Sequence, residues 1–329
     1  MSQSLPPRLI ADIGGTNARF ALCSDLQIHD ELQLRCAEYP TLEHAVRHYL
    51  REVGMTQQAP QQAALAIAAP VMGDAISMTN HHWRFSVSAL CKQLALQRLI
   101  VLNDFTALAM SIRHLPANEL QQIGGCAGHD PSKPIALLGA GTGLGVSGLI
   151  PSGEHWLPLQ GEGGHVSLAP GNVREAAVLQ TLWRGFDHVS AERVLSGPGL
   201  ENLYGAICQL DGVTEQAFSA ADITEQGLQN SNTQCVEVLQ MFCALLGSVA
   251  GNLVLTLGAT QAVYVGGGIV PRFGEYFARS AFRGRFESKG RYVEYLAPVP
   301  VYVIHSAKPA FVGLAHSFAE PGPRVEAVG

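Results

Sequence analysis

The chain has 329 residues, 47% of them apolar, with 35 glycines and 18 prolines, a globular and turn-rich composition that excludes a disordered or collagen-like chain and suffices for one large or two medium domains. Lys and Arg number 21 against 27 Asp and Glu, a net charge of −6, so no basic field is available to hold a nucleic-acid backbone or an anionic membrane, and a small neutral or metal-chelated partner fits better. Seven scattered cysteines form no CxxC pair, which reads as free thiols in a reducing compartment, with neither a disulfide framework nor a structural zinc site.

The start, MSQSLPPR, has no apolar core of an export signal, and none is expected. Leu9 to Leu22, LIADIGGTNARFAL, reads as two apolar strands around a polar turn, and ELQLRCAEY as a third strand. Residues 41–54 carry Leu42, Ala45, Val46, Tyr49 and Leu50, the stripe of an amphipathic helix. QQAALAIAAPV is a buried-strand pattern ended by Pro70; SVSALCKQLAL is a helix capped by Ser86 or Ser88, and RLIVLNDF is a strand that ends on polar residues. This alternation belongs to an α/β architecture.

Residues 114–133, polar and rich in Gly and Pro, read as a crossing into a second domain. That domain opens as the first does: PIALLGAGTGLGVSGLI is strand, glycine-rich turn, strand. Helices are predicted at 173–184, 189–208, 218–229 and 233–250. QAVYVGGGIVPRF ends a strand on three glycines before another helix, VPVYVIH is the last strand, and SAKPAFVGLAHSFA is a terminal helix with Pro309 near its start. Met241 to Gly268 is long and uncharged enough to raise a membrane span, but Asn252, several glycines, two threonines and the absence of Lys or Arg at either edge favour a buried helix followed by a buried strand.

The glycine-rich turns carry the chemistry. In DIGGTN, Gly14 and Gly15 let consecutive backbone N–H groups form an anion-binding concavity, Asp12 can hold a hydrated Mg²⁺, and Thr16 and Asn17 offer contacts to phosphate; a plain hairpin is the competing reading. GAGTGLG, Gly139 to Gly145, repeats the arrangement with Gly141, Thr142 and Gly143. It fails the Walker pattern and GxGxxG spacing, and a strand follows where a dinucleotide fold requires a helix. The repetition implies paired phosphate loops. Gly266, Gly267 and Gly268 permit close approach of a flat group such as adenine, or equally tight helix packing.

Asp104, in IVLNDFTALAM, stands where a buried strand gives way to a helix. It is either an N-cap beside Asn103 or an aspartate at a carboxyl strand end, placed to align a hydroxyl and take its proton in phosphoryl transfer. LQGEGGHVSLAP holds Glu162 and His165 among glycines. The pair makes half a metal site at most, so the readings are a solvated loop or a clamp on the vicinal hydroxyls of a polyol, completed by Glu192 from a helix start where Ser190 offers a cap.

Taken together, DIGGTN, MTNHHW, LNDFTA, GAGTGLG, GEGGH, SAERVLSGPG and YVGGGIVPR resemble the bacterial glucokinase family, the ATP-dependent hexose kinases of the sugar kinase, heat-shock 70 and actin superfamily. The match runs in order from about residue 9 to 315. The resemblance implies an α/β, two-domain ribonuclease-H-like (actin-like ATPase) fold with a cleft between domains: a small domain of residues 1–113 plus 305–329 and a large one of 114–304. It implies transfer of the γ-phosphoryl group of ATP to the 6-hydroxyl of glucose by a cytoplasmic, usually homodimeric enzyme with no nucleic-acid or membrane partner. The base would fall on Asp104, sugar ligands on Asn103, Asp104, Glu162, His165 and Glu192, and the phosphate turns on Asp12 to Asn17 and Gly139 to Gly145. The adenosine side would fall on Gly266 to Gly268, and Mg²⁺ on Asp12 through water. GEGGHVSLAPGNVREAAV contains no cysteine, which sets the chain apart from the related group with a cysteine-rich zinc motif; the short stretch before Leu9 leaves no room for a DNA-binding helix-turn-helix. A kinase for another hexose shares every loop. An actin- or chaperone-type ATPase has no use for the Glu162, His165 and Glu192 set.

Overall fold

The computed structural model describes residues 6–79, 81–126 and 130–329. The first five residues of MSQSLPPR, Asn80 of MTNHHW and residues 127–129 of the polar crossing lie outside them. The chain divides into two compact units, one of Met1–Pro116, Ser152–Gln160 and Ser306–Gly329, the other of Ala117–Pro151 and Gly161–His305. In chain order the strands are β1 (Arg8–Ile13), β2 (Asn17–Ser24), β3 (Gln27–Arg35), β4 (Gln62–Ile67), β5 (Ala75–Ser77), β6 (Arg84–Ser86), β7 (Arg98–Asn103), β8 (Leu120–Gln122), β9 (Ile135–Ala140), β10 (Leu144–Ser152), β11 (His155–Leu159), β12 (Ala262–Gly266), β13 (Val301–Ile304) and β14 (Val325–Val328).

In the first unit the sheet order is β14-β7-β4-β1-β2-β3. An antiparallel meander, β1 to β3, is extended by β4 and β7 parallel to β1, and β14 closes the far edge antiparallel to β7. Alternation along β1 sends Leu9, Ala11 and Ile13 into one core with Phe20, Tyr49 and Trp83. It sends Ile10 into another, with Ala64, Ala66, Ile100, Phe311 and Leu314. Both faces are therefore buried, which is why these strands are written as continuous apolar runs. The helices Asp104–Ser111 and Pro309–His316 pack on the second face; a Cβ on Gly313 would stand 1.8 Å from Ala107 O, so only a glycine lets the two backbones meet.

The second unit repeats this order in β10-β9-β12-β13-β8: β10 antiparallel to β9, β12 and β13 parallel, and the edge strand β8 antiparallel to β13. The equivalence extends to the strand ends that carry the turns, although four residues separate Ile13 from Ala18 and three separate Ala140 from Leu144. Asp12 faces Ala66 across β1 and β4, and Gly139 faces Gly266 across β9 and β12.

The apolar stretch that raised a membrane span is the end of the helix Thr233–Leu257 followed by β12. Of its most apolar 18-residue window, 72% is buried, and Gly247 and Gly251 admit the backbone carbonyls of Phe282 and Phe286 against it. This helix runs seven residues past the expected end at 250 and stops at Gly258, which takes the left-handed conformation (φ 63°).

Two expectations are corrected. The polar crossing of 114–133 is not a bare linker, because β8 lies in it and needs only backbone groups to pair with β13. The helix expected over 189–208 starts at Gly197. Ser190 caps a short turn alone, its Oγ accepting from Arg193 N–H at 3.3 Å. Pro198 has no N–H to continue a helix from the preceding turn, so Ser196 caps a new one with Pro198 in its first turn. Glu192 therefore stands in a turn and takes nothing from a helix dipole.

Candidate functional site

In the first unit the turn between β1 and β2 is fixed by its own backbone. Gly14 N–H donates to Asn17 O at 2.9 Å, and Cys36 N–H donates to Thr16 O at 2.9 Å. Gly15, Thr16 and Asn17, with Gln33, Arg35 and Ala37, line a cavity of about 590 Å³. Asp12, the last residue but one of β1, lies 3.8 Å from the Arg19 guanidinium on β2. Burial pushes its carboxyl above the usual carboxylate range, and Arg19 pulls it back.

At the end of β7, Asn103 is the cap of the helix Asp104–Ser111. Its Oδ1 accepts from Phe105 N–H at 2.9 Å and Thr106 N–H at 3.3 Å, and its Nδ2 donates to Ala69 O at 3.3 Å. The capping reading thus belongs to Asn103, and Asp104 is the first helical residue. Its Oδ1 accepts from Phe105 N–H at 2.9 Å.

In the second unit three glycine segments converge. A Cβ on Gly139 would stand 2.6 Å from Gly266 C, and one on Gly267, whose φ is +81°, 2.3 Å from Ala140 O. The two turns therefore touch backbone to backbone. Gly141 and Gly268 have open space where a side chain would be and face a cavity of about 740 Å³, with Thr142, Gly197, Pro198, Glu201, Thr224, Glu225 and Arg272 also in its wall. Gly141 N–H donates to Gly143 O, and Gly197 N–H to Gly141 O, each at 2.8 Å, so the turn is tied to the start of the helix Gly197–Asp211. Bare backbone at 139, 141, 267 and 268 beside a cavity in the size range of small-molecule sites fits a nucleotide.

Glu162, His165 and Glu192 come together next to that turn. His165 lies 3.9 Å from each carboxylate, Nε2 toward Glu162 and Nδ1 toward Glu192. His188 Nε2 donates to His165 O at 2.9 Å. Glu192 is held at both ends: its N–H donates to Gly164 O at 2.8 Å, and its Oε2 accepts from Leu144 N–H at 2.9 Å. Glu162 and His165 sit on the short 3₁₀ turn Gly163–His165 and its preceding residue, with side chains 59% exposed. The trio presents alternating acceptor and donor groups to solvent, as vicinal hydroxyls require.

Of the residues singled out in the sequence, Asp12 to Asn17, Asn103 and Asp104 gather at the strand ends and turn of the first unit. Gly139 to Gly143, Glu162, His165, Glu192 and Gly266 to Gly268 gather in the second. The cavity wall supplied by Gly197, Glu201, Thr224, Glu225 and Arg272 is additional. Its one sequence signal is the SGPG that follows SAERVL, a capped helix start beside the second turn; the others come from helices far along the chain.

A sequence model described as Glucokinase matches residues 9–321. Two curated proteins named Glucokinase are similar across nearly their whole length. One from Chromobacterium violaceum is 51% identical over 324 residues, 97% of this chain and 92% of that protein. One from Aromatoleum aromaticum is 52% identical over 316 residues, 94% of this chain and 93% of the other. Among solved structures, a glucokinase from an Antarctic psychrotroph superposes with a TM-score of 0.84 at 36% identity, covering 95% of this chain and 98% of that one.

Proposed function

The chain belongs to the glucokinase family, whose members pass the γ-phosphoryl group of ATP to glucose, and from this premise we propose how its own residues divide that work. The observation that carries the proposal is that the chain holds both a carboxylate acceptor at a helix start, Asp104, and the Glu162, His165 and Glu192 trio. The first suits removal of a hydroxyl proton and the second suits holding a sugar.

Asp104 takes the proton of the glucose 6-hydroxyl as its oxygen bonds to the γ-phosphorus and the bond from that phosphorus to the bridging oxygen of ADP breaks. The Phe105 N–H holds the carboxylate in place. Its weak basicity suffices because in a loose transfer the acceptor oxygen sheds its proton late. Asn103, pinned by the helix cap and by Ala69, offers its remaining amide proton to a sugar oxygen. Glu162, His165 and Glu192 take the other hydroxyls.

Backbone N–H groups of Gly15 and Thr16 and of Thr142 and Gly143, with the Thr16 and Thr142 hydroxyls, take phosphate oxygens, while the Gly14 and Gly141 N–H groups hold the two turns in shape. Gly266 to Gly268 and the 740 Å³ cavity take the adenosine. The partly buried Asp12 carboxylate is an oxygen donor suited to Mg²⁺, through water, and the ion when bound neutralises phosphoryl charge. We propose in addition that the two units are the family's small and large domains and that the enzyme works as a cytoplasmic homodimer, a state that light scattering on the purified protein reads directly.

The test is ADP release measured across glucose, mannose, fructose, galactose and N-acetylglucosamine, with and without Mg²⁺. Glucose is expected to give the highest kcat/KM, and release is expected to need both sugar and metal. ADP release at the same rate without sugar would replace this reading by a partner-moving ATPase.

A further inference from the structure

Among the described residues, one group of three imidazole and carboxylate side chains lies close enough to share a metal ion: His114, His316 and Glu320, with one ligand atom from each within 4.8 Å of the others. All three belong to the first unit, and none has a part in the function proposed above. We propose that they form a binding site for a late first-row divalent cation of the Zn²⁺ class.

The local fold explains why they meet. Glu320 N–H donates to His316 O at 3.1 Å, so a helical turn continues past the end of the helix Pro309–His316 and sets the two side chains on one face at i and i+4. His114 ends the 3₁₀ turn Ile112–His114 that continues the helix Asp104–Ser111. The close crossing of the two helices at Gly313 brings it over His316. The result is a pair of ligands at helical spacing plus a third from a neighbouring segment, a common plan of transition-metal sites.

The geometry at the group points the same way. His114 Nε2 lies 2.9 Å from Glu320 Oε1, and the two imidazole rings are parallel, 3.4 Å between centroids and 4° between planes. Aromatic rings disfavour such a face-to-face sandwich. The lone pairs of parallel rings lie in parallel planes, so sharing an ion requires each ring to turn about its bond to Cβ, and the ligand atoms, already within 4.8 Å of one another, then close to the roughly 3.3 Å that two nitrogens bound tetrahedrally at 2.0–2.1 Å keep between them. Neighbouring cations are committed elsewhere. Arg324 donates to Ser317 O and Glu320 O and pairs with Glu326, and Arg113 lies over the Trp156 ring. The three ligands are half-buried, which leaves water access to a fourth position. Two imidazoles and one carboxylate select Zn²⁺, Co²⁺ or Ni²⁺ over Mg²⁺ or Ca²⁺.

The site is separate from the proposed base: His114 follows Asp104 by ten residues, about 15 Å along a helix. It is tested on the full chain, stripped with chelator and carrying Cys126→Ser to remove the exposed thiol. This protein is titrated with ZnCl₂ by calorimetry, and with CoCl₂ by the visible absorption of a four-coordinate ion. One equivalent per chain is expected, with a rise in Tm. His316→Ala and Glu320→Gln are each expected to weaken binding at least about tenfold, the least that even outer-shell partners cost, while His82→Ala leaves it unchanged. Glucose-dependent ADP release at the parent rate shows that each variant is folded, and Glu320→Gln, which keeps the size and shape of the side chain, serves if His316→Ala fails to fold. Absence of saturable binding in the parent, or the parent affinity in both Glu320→Gln and His114→Gln, overturns the proposal.

Discussion

The position of Glu192 can be tested without touching it. A Cβ on Gly143 would stand 2.4 Å from Glu192 Oε2, far inside contact distance. Gly143 has no left-handed φ, so alanine is conformationally allowed there, and the atom in its way is the end of a flexible side chain. Gly143→Ala is therefore expected to push the carboxylate aside rather than break the turn. The displaced group loses its bond from Leu144 N–H, but with the Glu192 side chain 31% exposed water replaces that bond, and stability falls by no more than about 1 kcal/mol. If Glu192 holds a glucose hydroxyl, the charged hydrogen bond lost to substrate is worth about 1.5–3 kcal/mol, about 10- to 150-fold in affinity at 1.4 kcal/mol per factor of ten. Steady-state kinetics should show KM for glucose raised by that factor, with KM for ATP changed far less. A glucose KM equal to the parent's, in a variant with parental Tm, would refute the role of Glu192.

Asp104→Ala is expected to lower kcat by about 10² or more with glucose affinity largely kept, as measured by turnover and by equilibrium glucose binding. Ser196→Ala removes a buried hydroxyl that donates to Glu192 O and accepts from Gly199 N–H; a loss of about 1–2 kcal/mol in urea unfolding, together with a raised glucose KM, is expected. Arg98 holds the Glu326 carboxyl below the usual range, so the folded chain binds fewer protons there than the unfolded one. The stability from this pair is present above the ordinary carboxylate value and is lost as pH falls through the folded value. Glu326→Gln should accordingly lower the urea midpoint at pH 7 and leave it unchanged in acid.

What could be read from the letters follows from how local each feature is. The strands β1, β2, β9 and β12 are apolar runs buried on both faces, and the turns they carry are polar or bare within those runs, so both were visible. Asn103 and Asp104 were visible as polar residues ending such a run, but which of them caps the helix depends on where the Asn103 amide points, and that is set by Ala69, 34 residues away. Ser190 has the chemistry of a helix cap before Glu192, but Pro198 withholds the N–H that a continuous helix needs, and the helix starts at Gly197. The short strands β8 and β14 pair with β13 and β7 through backbone groups, and three or four residues leave too little side-chain pattern to see. The wall of the larger cavity was out of reach because Thr224, Glu225 and Arg272 meet the second turn only through the packing of separate helices.

The two sheets share one order and each carries a turn at the same place, and the way they differ gives a last test. Asp12 and Gly139 occupy the same register position, one opposite Ala66 and the other opposite Gly266. At Gly139 the neighbouring chain closes to where a Cβ would meet it at 2.6 Å, so this turn has given up a side chain to let backbone approach. At Asp12 the strand keeps a carboxylate in a place where burial disfavours its charge, a cost that folding alone does not explain. Divergence at one position thus separates a turn that supplies charge from a turn that supplies proximity. Asp12→Asn keeps the shape and removes the charge. Because burial works against the anion, the variant should be as stable as the parent or more so. The Mg²⁺ concentration for half-maximal ADP release should nevertheless rise by about tenfold or more, roughly 1.4 kcal/mol of lost attraction between a carboxylate and a hydrated ion. Loss of stability with an unchanged Mg²⁺ requirement would make Asp12 a structural partner of Arg19 and nothing more.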